Sequence, residues 1–280
     1  MIVYFDTNIF DHLEQLNGVN EWDLFRVRRA VRHECIRVVL SYLNIEETLF
    51  IVPSQPKRAE ARVKLIFELG DKHLVVRETK SILNDEIRAY SRGLPIVSPF
   101  ESLTCWMESE LWSLAAPVGT RKKKDLDRLL KTTHRIKMEY QSFMNWARGE
   151  TEIMSRTLVG GRYPFQAFLK DNSAWLAEGL AKRAKALLKV RRQGIQGLLE
   201  LKSVALAVGA NFSLIYSHQF EGRTPASGDS RDVLHSVAAS SADVFVTNDR
   251  KLATILSRIP VQGFRVMNLT DFLNSLPQWV

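Results

Sequence analysis

Short, unbroken apolar runs alternate, near both ends of the chain, with segments whose apolar residues recur every three or four positions. Ile2-Val3-Tyr4-Phe5 is fully apolar and rich in β-formers, as in a strand buried on both faces of a parallel sheet. Ile9, Phe10 and Leu13 follow at helical spacing and predict a helix from about Asn8. A second helix is expected over 21–35, with Trp22, Phe25, Arg29 and Arg32 divided between an apolar and a basic face. Residues 36–40 form a β-branched run ending at Ser41, and 42–49 reads as a helix. Pro53 and Pro56 end that helix. Residues 57–69 restart a helix with Ala59, Val63, Ile66 and Phe67 as its apolar stripe, and Leu74-Val75-Val76 is a third short strand. Such alternation predicts an α/β fold with a central parallel sheet.

The pattern changes in the middle of the chain. From about 81 to 219 no segment reads convincingly as a strand. Leu126, Leu129, Ile136, Tyr140, Phe143 and Ala147 repeat with the period of an amphipathic helix. Residues 173–190 and 194–208 also read as helical, broken near Gly194 and Gly197, while Gly160, Gly161 and Pro164 mark a turn. From Asp232 the α/β pattern resumes: helix 232–241, strand 243–247, helix 250–257, strand 264–267 and helix 270–275, with Thr270 as the expected N-cap of the last. The expected organisation is a discontinuous α/β domain, 1–93 and 216–280, with 94–215 as an all-helical insertion or cap.

Composition adds little until charge is considered. The 280 residues are 45% hydrophobic and 25% charged, ordinary for a globular protein. Two cysteines make no disulfide framework, the N-terminal MIVYFDTN lacks a basic leader, and no apolar run is long enough to span a bilayer, so a cytoplasmic protein with reduced thiols is expected. The formal charge of +8 is uneven: residues 121–150 carry +5 and 180–202 carry +6, leaving −3 for the rest. A basic appendage on a slightly acidic body suits a polyanionic partner, although the same charges suit the solvated faces of helices.

The candidate chemistry lies at strand ends. Asp6 and Asp249 each follow an apolar run directly, and ligands of parallel sheets gather beyond the carboxyl ends of the strands. Asp232, on the first turn of a helix, and Glu46 or Glu47, just past Ser41, can join them. Taken singly, Asp6, Asp232 and Asp249 are ordinary turn or N-cap residues; their convergence at one end of one sheet is what local explanations do not predict. Clustered carboxylates need protons or cations, and hard divalent ions such as Mg²⁺ or Mn²⁺ prefer oxygen ligands. Such ions promote in-line hydrolysis of a phosphodiester. No Cys/His cluster has zinc spacing, and neither a Gly-rich phosphate loop nor Gly-x-Ser-x-Gly is present.

Asp6-Thr7-Asn8 after a first strand, Leu43-Asn44-Ile45-Glu46-Glu47 after a second, Asp232-x-x-His235 with Ala238-Ala239, and Thr247-Asn248-Asp249 together resemble PIN-domain proteins. The resemblance covers roughly residues 1–80 and 228–275 and leaves the helical middle unaccounted for. It implies a three-layer α/β/α fold and a metal-dependent ribonuclease, of a toxin–antitoxin pair or of RNA processing. It also implies four acids, Asp6, Glu47, Asp232 and Asp249, as catalytic residues and ligands of Mg²⁺ or Mn²⁺, with Asn8 and Thr247 orienting Asp6 and the attacking water. The family's usual offset from Ser41 favours Glu47 over Glu46, and adjacent helix residues point about 100° apart, so only one of the two turns inward. Asp229 is expected to cap its helix, Asp243 to be structural and Asp11 exposed. His235 is expected to pack through a hydrogen bond or to touch substrate.

The implied substrate is single-stranded RNA, whose phosphates need a basic track. Arg121, Lys122, Lys123, Lys124, Arg191 and Arg192 are the candidates, on a helical cap expected beside the acids. Trp106, Trp112, Trp146 and Trp175 are expected in the core. A cognate antitoxin or inhibitor protein and a second copy of the chain are the other partners in view. The rival readings are a catalytically silent RNA-binding or scaffold protein of the same fold and a structure-specific DNA nuclease.

Overall fold

A computed structural model of the chain describes residues 1–52, 54–105, 107–109, 163–224, 226 and 228–277, with 124, 127, 131 and 138 as isolated positions. The protein is an α/β protein built on a six-stranded sheet of order β4-β3-β2-β1-β5-β6. The strands are β1 (Ile2–Phe5), β2 (Arg37–Ser41), β3 (Gly70–Val76), β4 (Phe100–Glu101), β5 (Val244–Val246) and β6 (Arg265–Met267). All neighbours run parallel except β4, which pairs antiparallel with β3, so the sheet is mixed rather than wholly parallel. Two residues are too few to give β4 a legible alternation in the sequence. β3 also begins four residues earlier than its apolar core suggests, because Asp71, Lys72 and His73 interrupt the pattern where its pairing with β2 shifts register.

Strand side chains alternate between two cores. Tyr4, Val39, Val76 and Phe245 face one, while Val3, Phe5, Val38, Leu40, Val75, Val244 and Val246 face the other. The second face is covered by α1 (Thr7–Gln15), α2 (Glu21–Arg32), α3 (Tyr42–Leu49), α4 (Pro56–Leu69) and α12 (Leu269–Ser275). The first is covered by α5 (Thr79–Arg92), α6 (Phe165–Arg183), α7 (Leu187–Gln193), α8 (Ile195–Leu199), α9 (Lys202–Phe220), α10 (Asp229–Ala238) and α11 (Arg250–Ser257). On α2 the buried residues are Val27 and Ala30; Trp22 and Phe25 stack on each other at the surface instead of forming an inward face.

Residues 165–220 share one hydrophobic core with the sheet. α9, 19 residues long, is buried at nearly every position from Ser203 to His218, so it is apolar all round rather than on one stripe. Gly209 permits the close approach of Ile259, whose Cγ2 would lie 2.6 Å from an added Cβ. The expected boundary at 215/216 falls inside this helix. The helix read as starting at Asp232 starts at Asp229, and the last helix is capped by Asn268, not Thr270, through Asn268 Oδ1 accepting from the Asp271 N–H at 2.8 Å. Trp175 packs partly buried against Phe212. Trp106, Trp112, Trp146 and the helix expected over 122–148 lie outside the described residues, apart from isolated positions. Both cysteines are free, and no helix among the described residues is long and apolar enough to cross a membrane.

Candidate functional site

The strand order reverses at β1: β2 and β3 extend to one side of it, β5 and β6 to the other. The helices leaving β1 and β5 accordingly go to opposite faces, α1 to one core and α11 to the other. A crevice opens between the carboxyl ends of those two strands, the usual ligand position in such sheets. Register fills it. Phe5 is paired with Val246, and the Asp6 N–H donates to Val246 O at 3.0 Å, so the next residues, Asp6 and Thr247, emerge side by side. The Thr247 hydroxyl and Asn8 Nδ2 each donate to Asp6 Oδ2 at 2.7 Å. Asn8 Nδ2 also reaches Thr247 Oγ1 at 3.2 Å, and the Asp249 N–H donates to that oxygen at 3.0 Å. Asp6 Oδ1 accepts from the Thr7 N–H, which makes Asp6 the N-cap of α1 as well.

From the other side of β1 comes Glu47. Asn44, buried in the first turns of α3, donates to Phe5 O at 2.9 Å and accepts from the Thr7 hydroxyl at 3.0 Å, which locks α3 onto the end of β1. Glu47 then faces His235 of α10, whose Nε2 lies 3.3 Å from Glu47 Oε2 and 4.0 Å from Asp6 Oδ1. Arg231 lies between the two glutamates, 3.5 Å from Glu47 Oε1 and 3.8 Å from the more exposed Glu46. Ligand atoms of Asp6, Glu47 and His235 all lie within 4.8 Å of one another. His235 is held from behind by Tyr4, whose hydroxyl is 2.7 Å from Nδ1 and donates to Ser41 Oγ at 3.1 Å. His235 Nε2 is buried, and Glu47 Oε2 at 3.3 Å is its polar partner.

Burial and charge oppose each other here. Burial pushes the Asp6 carboxyl up, against the pull of His235 and the Thr247 hydroxyl. Burial acts on Glu47 in the same direction, but His235, the Thr7 hydroxyl and Arg231 outweigh it and hold Glu47 at about 2. Burial would lower His235, yet Glu47, Asp6 and Asp232 raise it above its ordinary value.

The other expected acids form a second group around a lysine. Lys251 Nζ lies 2.6 Å from Asp229 Oδ1 and 2.7 Å from Asp232 Oδ2. Burial, together with Asp249 and Asp229, lifts Asp232 to about 6 in spite of Lys251. Asp249 caps α11, its Oδ1 accepting from the Lys251 and Leu252 N–H groups at 2.8 and 3.1 Å. Asp229 does not cap α10; burial raises it, but His218, Lys251 and the Ala226 N–H (3.0 Å) leave its carboxyl far below the usual range, and Arg223 pairs with it too.

All four acids thus stand at one end of the sheet, but only Asp6 and Glu47 share a compact donor set. Asn8 and Thr247 both donate to Asp6. Asp243 lies at the opposite end, where it accepts from the Ile2 N–H at 2.8 Å. Asp11, expected to be exposed, is half-buried and ion-paired with Arg58 and Arg62 of α4. Sequence reading missed Lys251, Tyr4 and the partners of Asp229. The i, i+3 spacing of Asp229 and Asp232 was a usable signal, since two acids stacked on one buried helix face require a cation.

The basic stretches do not behave alike. Arg121, Lys122 and Lys123 lie outside the described residues; Lys124 is exposed. Arg191 and Arg192 are exposed, and Arg191 is paired with Glu178 at 2.7 Å. They sit near the amino ends of the strands, remote from the acids. The last turn of α5 meets this segment through Tyr90, whose hydroxyl donates to Gly194 O at 2.7 Å, and Lys202 Nζ reaches Ala242 O, just before β5, at 2.9 Å. α9 must then run its whole length before His218 meets Asp229.

Fold and site together define an α/β protein with an acid cluster at the switch point of a mostly parallel sheet. No family model, no curated protein and no solved structure matches the chain.

Proposed function

We propose that the chain is a metal-dependent endoribonuclease of PIN-like, three-layer architecture that hydrolyses phosphodiester bonds of single-stranded RNA with Mg²⁺ or Mn²⁺. The observation that carries this reading is the convergence of Asp6, Glu47 and buried His235, with ligand atoms within 4.8 Å of one another, at the strand-order reversal. Two carboxylates are a donor set that fits a hard divalent cation, and His235 joins it on losing its proton. When bound, the ion polarises a phosphoryl oxygen and acidifies a water. The chain's own residues do the positioning. Thr247 and Asn8 fix the Asp6 carboxylate, and Tyr4 fixes His235.

The test is incubation of purified protein with single-stranded RNA or flap DNA, with Mn²⁺ or EDTA. RNA cleavage that needs the metal and falls roughly 10²–10³-fold in Asp6→Asn is expected. Absence of metal-dependent cleavage, or cleavage untouched by Asp6→Asn, overturns the reading; preferential cutting of flap DNA reassigns the substrate. Neutralising Arg121, Lys122, Lys123 and Lys124 together should lower the salt dependence of RNA affinity by about 0.7 in log–log slope for each phosphate no longer neutralised. An acidic antitoxin or inhibitor would compete for the same surface. A silent RNA-binding protein is the second reading, favoured by the cations His235, Arg231 and Lys251 that already face the acids; RNA binding without cleavage would establish it.

A further inference from the structure

We infer that the Lys251 ammonium occupies the position of a second divalent ion, so that the site takes one ion, at Asp6 and Glu47, rather than two. This rests on the metal-dependent reading of the acid cluster above. Lys251 is the second residue of α11, and its side chain turns back from the surface to stand between Asp229 and Asp232, at 2.6 and 2.7 Å. At these distances the ammonium touches both carboxylates at once, so no ion can sit between those two oxygens without expelling it.

The remaining ligand capacity on this side is small. Asp229 is 1% exposed, and both its oxygens are taken by His218, Arg223, Lys251 and the Ala226 N–H. One oxygen of Asp249 is spent on capping α11. A second ion would therefore rely on one oxygen each from Asp232 and Asp249, with a lysine charge against it. The Asp6–Glu47 side differs in kind. There the two carboxylates and an imidazole nitrogen, a possible ligand atom, lie within 4.8 Å of one another, whereas an ammonium has no lone pair to offer an ion. Lys251 also keeps Asp232 inward without any metal, a role that a two-ion site would leave to the second ion.

The experiment is Mn²⁺ titration by calorimetry, with electron paramagnetic resonance of the bound ion, on the full chain and on Lys251→Met and Lys251→Arg. Wild type and Lys251→Arg should bind one Mn²⁺ and give the spectrum of an isolated ion. Lys251→Met, checked for native folding by circular dichroism, should bind two and show the splitting of a coupled pair. Two ions in the wild type, or a single ion retained by folded Lys251→Met, overturns the inference while leaving the nuclease reading standing. Should Lys251→Met not fold, the wild-type count decides: one ion at saturation upholds the inference and two overturns it. No ion bound to the wild type overturns both, and RNA cleavage in EDTA identifies that case separately.

Discussion

Asp6 and Glu47 face a histidine; Asp229 and Asp232, across the same crevice, face a lysine. Both halves solve one problem, that buried carboxylates are costly unless paired, but the two cations differ in reversibility. The imidazole of His235 is braced by Tyr4 at Nδ1 and turns Nε2 to Glu47. Its charge is conditional on the acids around it. The ammonium of Lys251 is clamped by two carboxylates, at 2.6 and 2.7 Å. One half is therefore open to exchange with a ligand, and the other is a permanent brace.

The largest expected effect breaks the braced half. Asp229→Ala leaves Arg223 and Lys251 without their shared carboxylate in a buried setting, which should cost about 3–5 kcal/mol in urea unfolding. A loss below about 1 kcal/mol would mean the network is not structural.

Next comes pH, where the halves should move in opposite directions. Glu47, held at about 2, contributes stability that is present above its ordinary value and lost as pH falls toward 2. Asp232, lifted to about 6, contributes stability that is present below its ordinary value near 4 and lost as pH rises through 6. Each shift corresponds to about 3 kcal/mol. Glu47→Gln should flatten the stability profile between about pH 2 and 4.5, and Asp232→Asn between about pH 4 and 6. Identical profiles for the two variants would remove the distinction between the halves.

A smaller effect should follow Thr247→Val, which deletes the hydroxyl that donates to Asp6 and accepts from Asn8 and the Asp249 N–H. About 1–2 kcal/mol of stability and 10–100-fold in metal affinity or cleavage should disappear together. The smallest is expected at Arg191 and Arg192. Their joint neutralisation should leave the salt slope of RNA binding unchanged, because they lie at the other end of the sheet; a fall of about one unit would place RNA there instead.

How legible the molecule is in its sequence varies with the range of the interaction. The strands of 2–5, 37–41 and 244–246 and the helices after them were legible because alternation and helical spacing are local properties. That only one of Glu46 and Glu47 turns inward was legible because helix geometry separates adjacent side chains; which one it is was implied only by the family resemblance. β4 and the start of β3 were not, being too short or too polar to carry a period. α9 misled in another way: a helix buried on all sides has no polar face to mark it as the centre of a layer.

Local chemistry along the chain thus sufficed to put acids at strand ends and an α/β sheet beneath them, though not its antiparallel edge strand. It could not say which cation each acid would meet. Thr247 finds Asp6 across 241 positions and His235 finds Tyr4 across 231, distances at which nothing in the intervening residues encodes the pairing. Packing of α10 and α11 on the sheet settles it, by bringing Lys251 to Asp229 and Asp232 and His235 to Glu47. Burial then makes those pairings matter, because charges that water would screen at the surface must here be matched one against another.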